Sequence, residues 1–381
     1  METKVNISEL AGEISSIDLN VLPASRSFML VEDVPELKDI KYGTVQVIGI
    51  GGTNLRLNKV IYEPSGSIKN EEIFSAKIPV SEYESLFDYS VNKLLPYLDN
   101  NSPVAISWSF PLDHGRIVCM GKQFSQKYNN LKLEDCFNTA FRSNGCNLRV
   151  ASVTHDGTSL LVAGMHTNES CKVALTLGTG VNINLIDKNG RAINTEVGSL
   201  GCAGFLSQSQ YLPKPFLSKF QIYEDIVLNQ PFEAQVGGLH IGHIVSLRLK
   251  RDISTELAFD IAFGTSNTNE LSKPEHEQQV AYEVIETSAA LTAAALFGFI
   301  CGQCSLPSVP DLDPTQDPNQ NNTVNVCVAF TGSIISQPNY LELVKKHLEA
   351  LEHKGFRKIH ITLAPQLHGS EVGAGLCALG H

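Results

Sequence analysis

A short β-branched run that stops at small residues and resumes beyond a turn occurs twice in this chain, and it limits the fold more than any other feature. The first copy is TVQVIGIGGTNLR at 44–56 and the second is KVALTLGTGVNINLI at 172–186. In the first, Val45, Val47, Ile48 and Ile50 make a buried strand that reaches Gly51 and Gly52 and turns sharply. Glycines carry no Cβ, so their N–H groups can come close to a ligand, and such groups bind phosphate oxygens well. Thr53 and Asn54 add a hydroxyl and an amide, and Arg56 adds a fork of N–H donors. The same residues would also suit a hairpin that binds nothing. In the second copy Gly178, Thr179 and Gly180 form the turn, and Asn182 lies on the strand that follows. Two such units suggest two related halves, each gripping one side of a phosphate group.

Between them the chain places further polar residues at strand ends. The segment PVAISWSFP at 103–111 is a strand closing on Ser109, Phe110 and Pro111, and IVCMGK then brings Lys122 to the end of the next strand-like piece. Lys122 can face a cleft or lie in solvent. A strand at 147–153 runs into His155, Asp156, Gly157 and Thr158 ahead of a helical stretch. Asp156 has two readings, an N-cap for that helix or a carboxylate at the carboxyl end of a strand, where open α/β sheets place ligands. Glu196 and Glu233 are acids with apolar or glycine neighbours, and either can be a surface residue. Strand 324–330 leads into a third small-residue turn at Gly332 and Ser333, and a helix rich in small residues begins near 369. Strands 57–62 and 71–79, followed by a helix over 84–98 that Pro96 kinks or ends, indicate an α/β unit with the glycine turn at its mouth.

Length and charge narrow the partners. A chain of 381 residues is expected to form two domains rather than one. The net charge of −11, with no compensating Lys/Arg block, argues against nucleic acid and anionic membranes and favours small-molecule ligands. The beginning of the chain lacks a secretion pattern, and 289–301 reads as a buried Ala-rich helix too short to span a membrane. Nine scattered cysteines fit reduced thiols in a cytosolic protein, and Cys301 with Cys304 lacks the second pair that zinc would need. Polar loops are expected at 266–275 and 307–322, with helices over 239–249 and 283–300 and a last strand over 358–363.

Taken in order, these pieces resemble the hexokinase family of sugar kinases. The first phosphate motif is similar to IGIGGTNLR, the sugar-binding strand to WSFP, the lysine segment to CMGKQF and the catalytic aspartate segment to HDGTSLLVAG. The second phosphate motif resembles LGTGVNINL, the two glutamate segments NTEVGSLG and PFEAQVGGLHIG, the adenosine motif FTGS and the closing segment GSEVGAGLCAL.

The resemblance implies the α/β actin-like ATPase (ribonuclease H-like) fold with two lobes and a central cleft. Residues 43–154 with 370–381 would form the small lobe, and 1–42 with 155–369 the large one. It implies ATP-dependent phosphorylation of a hexose at the 6-hydroxyl, with Asp156 as general base and Lys122 beside it in the catalytic set. Ser109, Phe110, Pro111, Lys122, His155, Asp156, Asn182, Glu196 and Glu233 would bind the sugar. ATP would meet Gly51, Gly52, Thr53, Asn54, Arg56, Gly178, Thr179, Gly180, Gly332 and Ser333. Mg²⁺ would arrive with the nucleotide and need no dedicated protein site. A cytoplasmic monomer or homodimer acting in hexose metabolism is the expectation.

Departures from the family pattern shape the alternatives. Gly49 stands where the family's phosphate motif usually has an aspartate, an electrostatic group worth about a hundred- to a thousandfold in rate. His155 replaces an asparagine that contacts sugar, and Gly121 a threonine; the N-terminal segment and 251–281 are short for the family. The alternatives are an N-acetylglucosamine kinase, which WSFPLDHGR also resembles, and a catalytically weak sugar sensor.

Overall fold

The computed structural model describes residues 6–17, 30–32, 34–35, 37, 40–79, 85–120, 124, 126–202, 205–214, 230–264, 275–304, 306, 323–353 and 359–380. Lys122, Gly121, the loop at 307–322 and all but Glu275 of the loop at 266–275 lie outside the described residues. The helices are α1 (Ile7–Ser15), α2 (Leu86–Leu94), α3 (Leu133–Ser143), α4 (Asp156–Thr167), α5 (Glu233–Val236), α6 (Gly238–Leu249), α7 (Thr255–Phe263), α8 (Glu275–Gln303), α9 (Pro338–Glu352) and α10 (Gly369–Leu379). The strands of the first half are β1 (Leu30–Glu32), β2 (Gly43–Ile50), β3 (Asn54–Tyr62), β4 (Ile68–Lys77), β5 (Val104–Trp108), β6 (Leu112–Asp113) and β7 (Arg116–Ile117). Those of the second are β8 (Val150–His155), β9 (Cys171–Leu177), β10 (Val181–Ile186), β11 (Ala192–Asn194), β12 (Val324–Thr331) and β13 (Ile359–Pro365).

The chain forms two compact units. The Asp156 unit comprises Ser25–Ala174, Asn184–Thr195 and Gln366–His381; the Glu233 unit comprises Met1–Ala24, Leu175–Ile183 and Glu196–Pro365. Residues 155–174 and 184–195, which the resemblance assigns to the large lobe, pack within the Asp156 unit.

A five-stranded sheet in the order β4-β3-β2-β5-β8 organises the Asp156 unit. β4, β3 and β2 are antiparallel, as hairpins allow, whereas β2, β5 and β8 run parallel with helices in the crossovers. The alternation along β2 sends Ile48 and Ile50 to one face, where they pack with Phe87, Val91, Trp108, Phe137 and Phe141 from α2, β5 and α3. Val45 and Val47 point to the other face and meet Val60, Ala105 and Ala374. That second face belongs to α10. The small residues of this helix work as the sequence suggests: a Cβ on Gly373 would collide with the Ser159 carbonyl of α4, and one on Gly375 would lie 3.0 Å from Val60. Pro96 ends α2 as expected, since the chain passes from Leu94 into a 3₁₀ turn at Leu95–Tyr97.

In the Glu233 unit the core is α8. It is longer than the expected 283–300, and at 29 residues it is long and apolar enough to cross a membrane, but 83% of its apolar stretch is buried within the protein. Gly298 lets α1 come close, since a Cβ there would stand 2.7 Å from Ile14 Cβ. On its other side Tyr340 of α9 shares hydrogen bonds with Ser288 at 2.8 Å and Thr292 at 3.0 Å, and full burial pushes the phenol up to about 12. β12 and β13 pair in parallel from Val324↔Ile359 to Phe330↔Pro365, and their connection is α9.

Candidate active site

In the Asp156 unit, three neighbouring parallel strands end in step. Ile50 of β2 pairs with Trp108 of β5, and Trp108 with His155 of β8. The next residue on each strand is Gly51, Ser109 and Asp156, so one row of carboxyl ends presents a glycine, a hydroxyl and a carboxylate. Carboxyl ends of parallel strands are where α/β sheets meet ligands. The row is knitted together. Ser109 N–H donates to the Ile50 carbonyl at 3.0 Å, and Ser109 Oγ donates to Asp156 Oδ2 at 2.5 Å. Gly51 N–H closes the turn on the Asn54 carbonyl at 2.9 Å, and the Thr53 carbonyl accepts from Ile78 N–H at 2.8 Å.

Asp156 is not the N-cap of α4. That place belongs to His155, whose Nδ1 accepts from Gly157 N–H at 3.2 Å, and Asp156 is the first helical residue with its carboxylate a quarter exposed. His155 itself is buried, and its Nδ1, which takes the cap bond, also lies 3.4 Å from Asp156 Oδ1. Its backbone N–H donates at 2.9 Å to Glu32 Oε2. Glu32 is buried on β1, and burial raises its carboxyl above the ordinary value despite the lowering influence of His155. No sequence signal marked Glu32. Its partner is 123 residues away.

Three other expected ligand residues make contacts within the protein. The Phe110 ring is buried edge-on against Trp108 at 5.4 Å and Phe124 at 5.2 Å, which leaves its backbone alone for a ligand. Arg56 is held by Glu371, with Nη1 to Oε1 at 3.3 Å, and lies 4.0 Å from Glu72. Pro111 is half-buried and its carbonyl accepts from Val118 N–H at 3.0 Å.

The Glu233 unit brings together the second set. Gly178 N–H bonds the Gly180 carbonyl at 3.0 Å and closes the second glycine turn. The turn's own carbonyls receive the start of α6: Gly238 N–H donates to Gly178 at 2.8 Å and Leu239 N–H to Thr179 at 3.1 Å. Gly332, at φ +122°, lies so close to Leu177 that a Cβ would meet its carbonyl, and Ser333 N is 3.4 Å from where a Gly178 Cβ would be. Only glycine tolerates such a backbone angle and such an approach. These turns form a surface of main chain, the kind that suits phosphate and adenosine groups.

Glu233 opens α5 and points back at the same turn, its Oε2 accepting from Val181 N–H at 3.1 Å in the space a Gly180 Cβ would fill. The Glu196 segment lies alongside, with Phe232 N–H bonded to the Gly198 carbonyl at 3.1 Å and a Gly198 Cβ only 3.3 Å from Glu233 Cβ. Glu196 takes φ +48°, a left-handed backbone that non-glycine residues adopt rarely and that clusters at functional sites. Asn182 is half-buried on β10 and bonds Ile183 N–H at 2.9 Å. Gly178, Thr179, Gly180, Glu196, Glu233, Gly332 and Ser333 thus form one neighbourhood within this unit. Among the described residues no group of three or more His, Cys, Asp or Glu is arranged to hold a metal ion.

Two family models described as Hexokinase match, one over residues 18–166 and the other over 264–380. A hexokinase of Emericella nidulans is 24% identical over 271 residues, covering 61% of this chain and 53% of that protein. Hexokinase-3 of Oryza sativa is 25% identical over 272 residues, covering 61% and 51%. The matches span about half the length of these relatives. Among solved structures, the hexokinase from Schistosoma mansoni complexed with glucose superimposes with a TM-score of 0.74 at 19% identity, covering 99% of this chain and 95% of that one. The shared architecture is the α/β fold of the actin-like ATPases.

Proposed function

This chain belongs to the hexokinase family, and from that premise we propose that it transfers the γ-phosphoryl group of ATP to the 6-hydroxyl of a hexose. The observation that carries the reading is the Ser109–Asp156 contact at the carboxyl ends of β5 and β8, beside the glycine turn that follows β2. Asp156 accepts the proton of the sugar hydroxyl as its oxygen bonds to the γ-phosphorus and the bond to the β-phosphate oxygen breaks. Ser109 steadies Oδ2, and Oδ1, 3.4 Å from His155 Nδ1 and part of a carboxylate a quarter exposed, is the oxygen that would meet the hydroxyl.

Glu196, Glu233 and Asn182 supply further acceptors and a donor for a polyol, whose hydroxyls need partners once removed from water. Gly51 to Asn54, Gly178 to Gly180, Gly332 and Ser333 would meet ATP, since their turns are held by main-chain hydrogen bonds and offer backbone rather than bulky side chains. Magnesium would be carried on the nucleotide phosphates, whose oxygens and waters it prefers to a dedicated protein cage. Such an ion, when bound, neutralises charge that develops on the bridging phosphate oxygens.

Gly49 favours a second reading, a sugar-binding protein of weak activity, since that rung of β2 offers no carboxylate. Release of ADP measured with glucose, mannose, fructose and N-acetylglucosamine separates the readings. Stimulation by a hexose supports the kinase, and preference for N-acetylglucosamine moves the substrate to the amino sugars. If no sugar stimulates ADP formation while glucose still raises the melting temperature, the protein is a sensor.

A further inference from the structure

Arg56 lies directly across the β2–β3 rung from Gly49, and a Cβ built on Gly49 would touch Arg56 Cβ at 3.8 Å with nothing nearer. The two share the sheet face of Val45, Val47 and Val60, which α10 covers. An arginine on such a rung finds its natural counter-ion directly opposite. Gly49 has no side chain to offer. The carboxylate comes instead from Glu371, in the first turn of α10, which is 7% exposed and stands 3.3 Å from Arg56 Nη1. An acid there is also favoured by the positive end of its own helix.

Building on the kinase reading of the glycine turn, we propose that Glu371 is a positioning residue that replaces, from α10, the acid absent at position 49. It holds Arg56 on the rung two residues beyond Asn54 and balances charge beside the first phosphate turn. Arg56 is therefore a fixed member of the wall rather than a free fork for phosphate. Positions 49 and 371 become alternatives for one guanidinium, and an acid added at 49 does not restore a missing function while Glu371 remains.

A double-substitution cycle tests this on the full chain. Glu371→Gln alone lowers the melting temperature in low salt by about 2–4 °C. Gly49→Asp alone gives no gain in melting temperature or turnover, because a new acid then competes with Glu371 and Glu72 for one cation. The pair together recovers half or more of the Glu371→Gln loss, and the recovery shrinks in 1 M salt through screening of a partly exposed guanidinium.

If the two substitutions act additively on melting temperature, or Gly49→Asp raises turnover tenfold with Glu371 intact, the proposal is overturned. Should the pair fail to fold, Arg56→Gln serves instead: in that background Glu371→Gln must cost less than half of what it costs in the native protein, and an undiminished cost overturns the idea. The melting experiment needs no nucleotide. Absence of any ADP release would sink the kinase reading and leave the 49–371 coupling standing, whereas additivity with normal ADP release would sink the coupling alone.

Discussion

The carboxylate oxygen Oε2 of Glu233 occupies the space in which a side chain on Gly180 would begin. Main chain and acid are therefore fitted to each other, and the Val181 N–H bond at 3.1 Å fixes the carboxylate over the turn. Gly180→Ala must push Glu233 aside or distort the turn, at a cost of about 1–3 kcal/mol. The urea midpoint is expected to fall accordingly, and the glucose-induced rise in melting temperature to disappear. A variant with unchanged midpoint and sugar response would show that Glu233 moves freely and holds no ligand.

Asp156 would take the proton and Ser109 only hold its carboxylate, so their substitutions should differ in size. Asp156→Asn keeps the shape, removes the base and is expected to lower turnover by about 10²–10⁴-fold while leaving sugar binding intact. Ser109→Ala loses one hydrogen bond to a charged group, about 1.5–3 kcal/mol, which corresponds to about 10–100-fold. Steady-state ADP release paired with a sugar-binding titration checks both. Equal losses in turnover and in sugar affinity for Asp156→Asn would assign this residue to binding alone.

Glu32 sets a slope of stability against pH. Its carboxyl is raised in the folded state by burial, so the folded protein favours the protonated form more than the unfolded chain does. This contribution is complete below the ordinary value of 4.5 and is lost as pH rises through the raised one. Glu32→Gln stays neutral and keeps an acceptor for His155 N–H. It is expected to melt above the native protein at pH 8 and level with it near pH 4.5. A constant difference across that range would remove Glu32 from the pH dependence.

Cys377 faces inward from α10 at 0% exposure, and burial followed by the nearby Glu32 charge pushes its thiol to about 12. Thiolate, not thiol, attacks alkylating reagents. Peptide mapping after iodoacetamide treatment at pH 8 should find Cys377 unmodified in the native protein and modified in urea. Rapid native labelling would mean that α10 leaves its place on the sheet.

Much of the candidate site is legible in the sequence because its chemistry is local. The turns at Gly51 and Gly178 announce themselves, since a β-branched run must stop where glycine begins, and Asp156 follows directly from strand β8. What escaped depends on distance along the chain. Glu371 meets Arg56 across 315 residues, so Arg56 reads as a free cation until its counter-ion is seen. Glu32 stands at the head of an acid-rich stretch, EDVPELKD, in which nothing sets it apart from Asp33, Glu36 and Asp39. The helix cap went to His155 rather than Asp156 because an imidazole nitrogen can serve as acceptor, a use that the ordinary cap preferences understate. Phe110 sits in a sugar-like motif, yet packing against two rings decides its place.

The close seating of α10 has a consequence for how the protein is made. Val45, Val47 and Val60 remain uncovered on one sheet face until residues 369–379 arrive. On the ribosome, the Asp156 unit therefore cannot mature until residue 379 has emerged, and until then an oily surface stays open to passing chaperones.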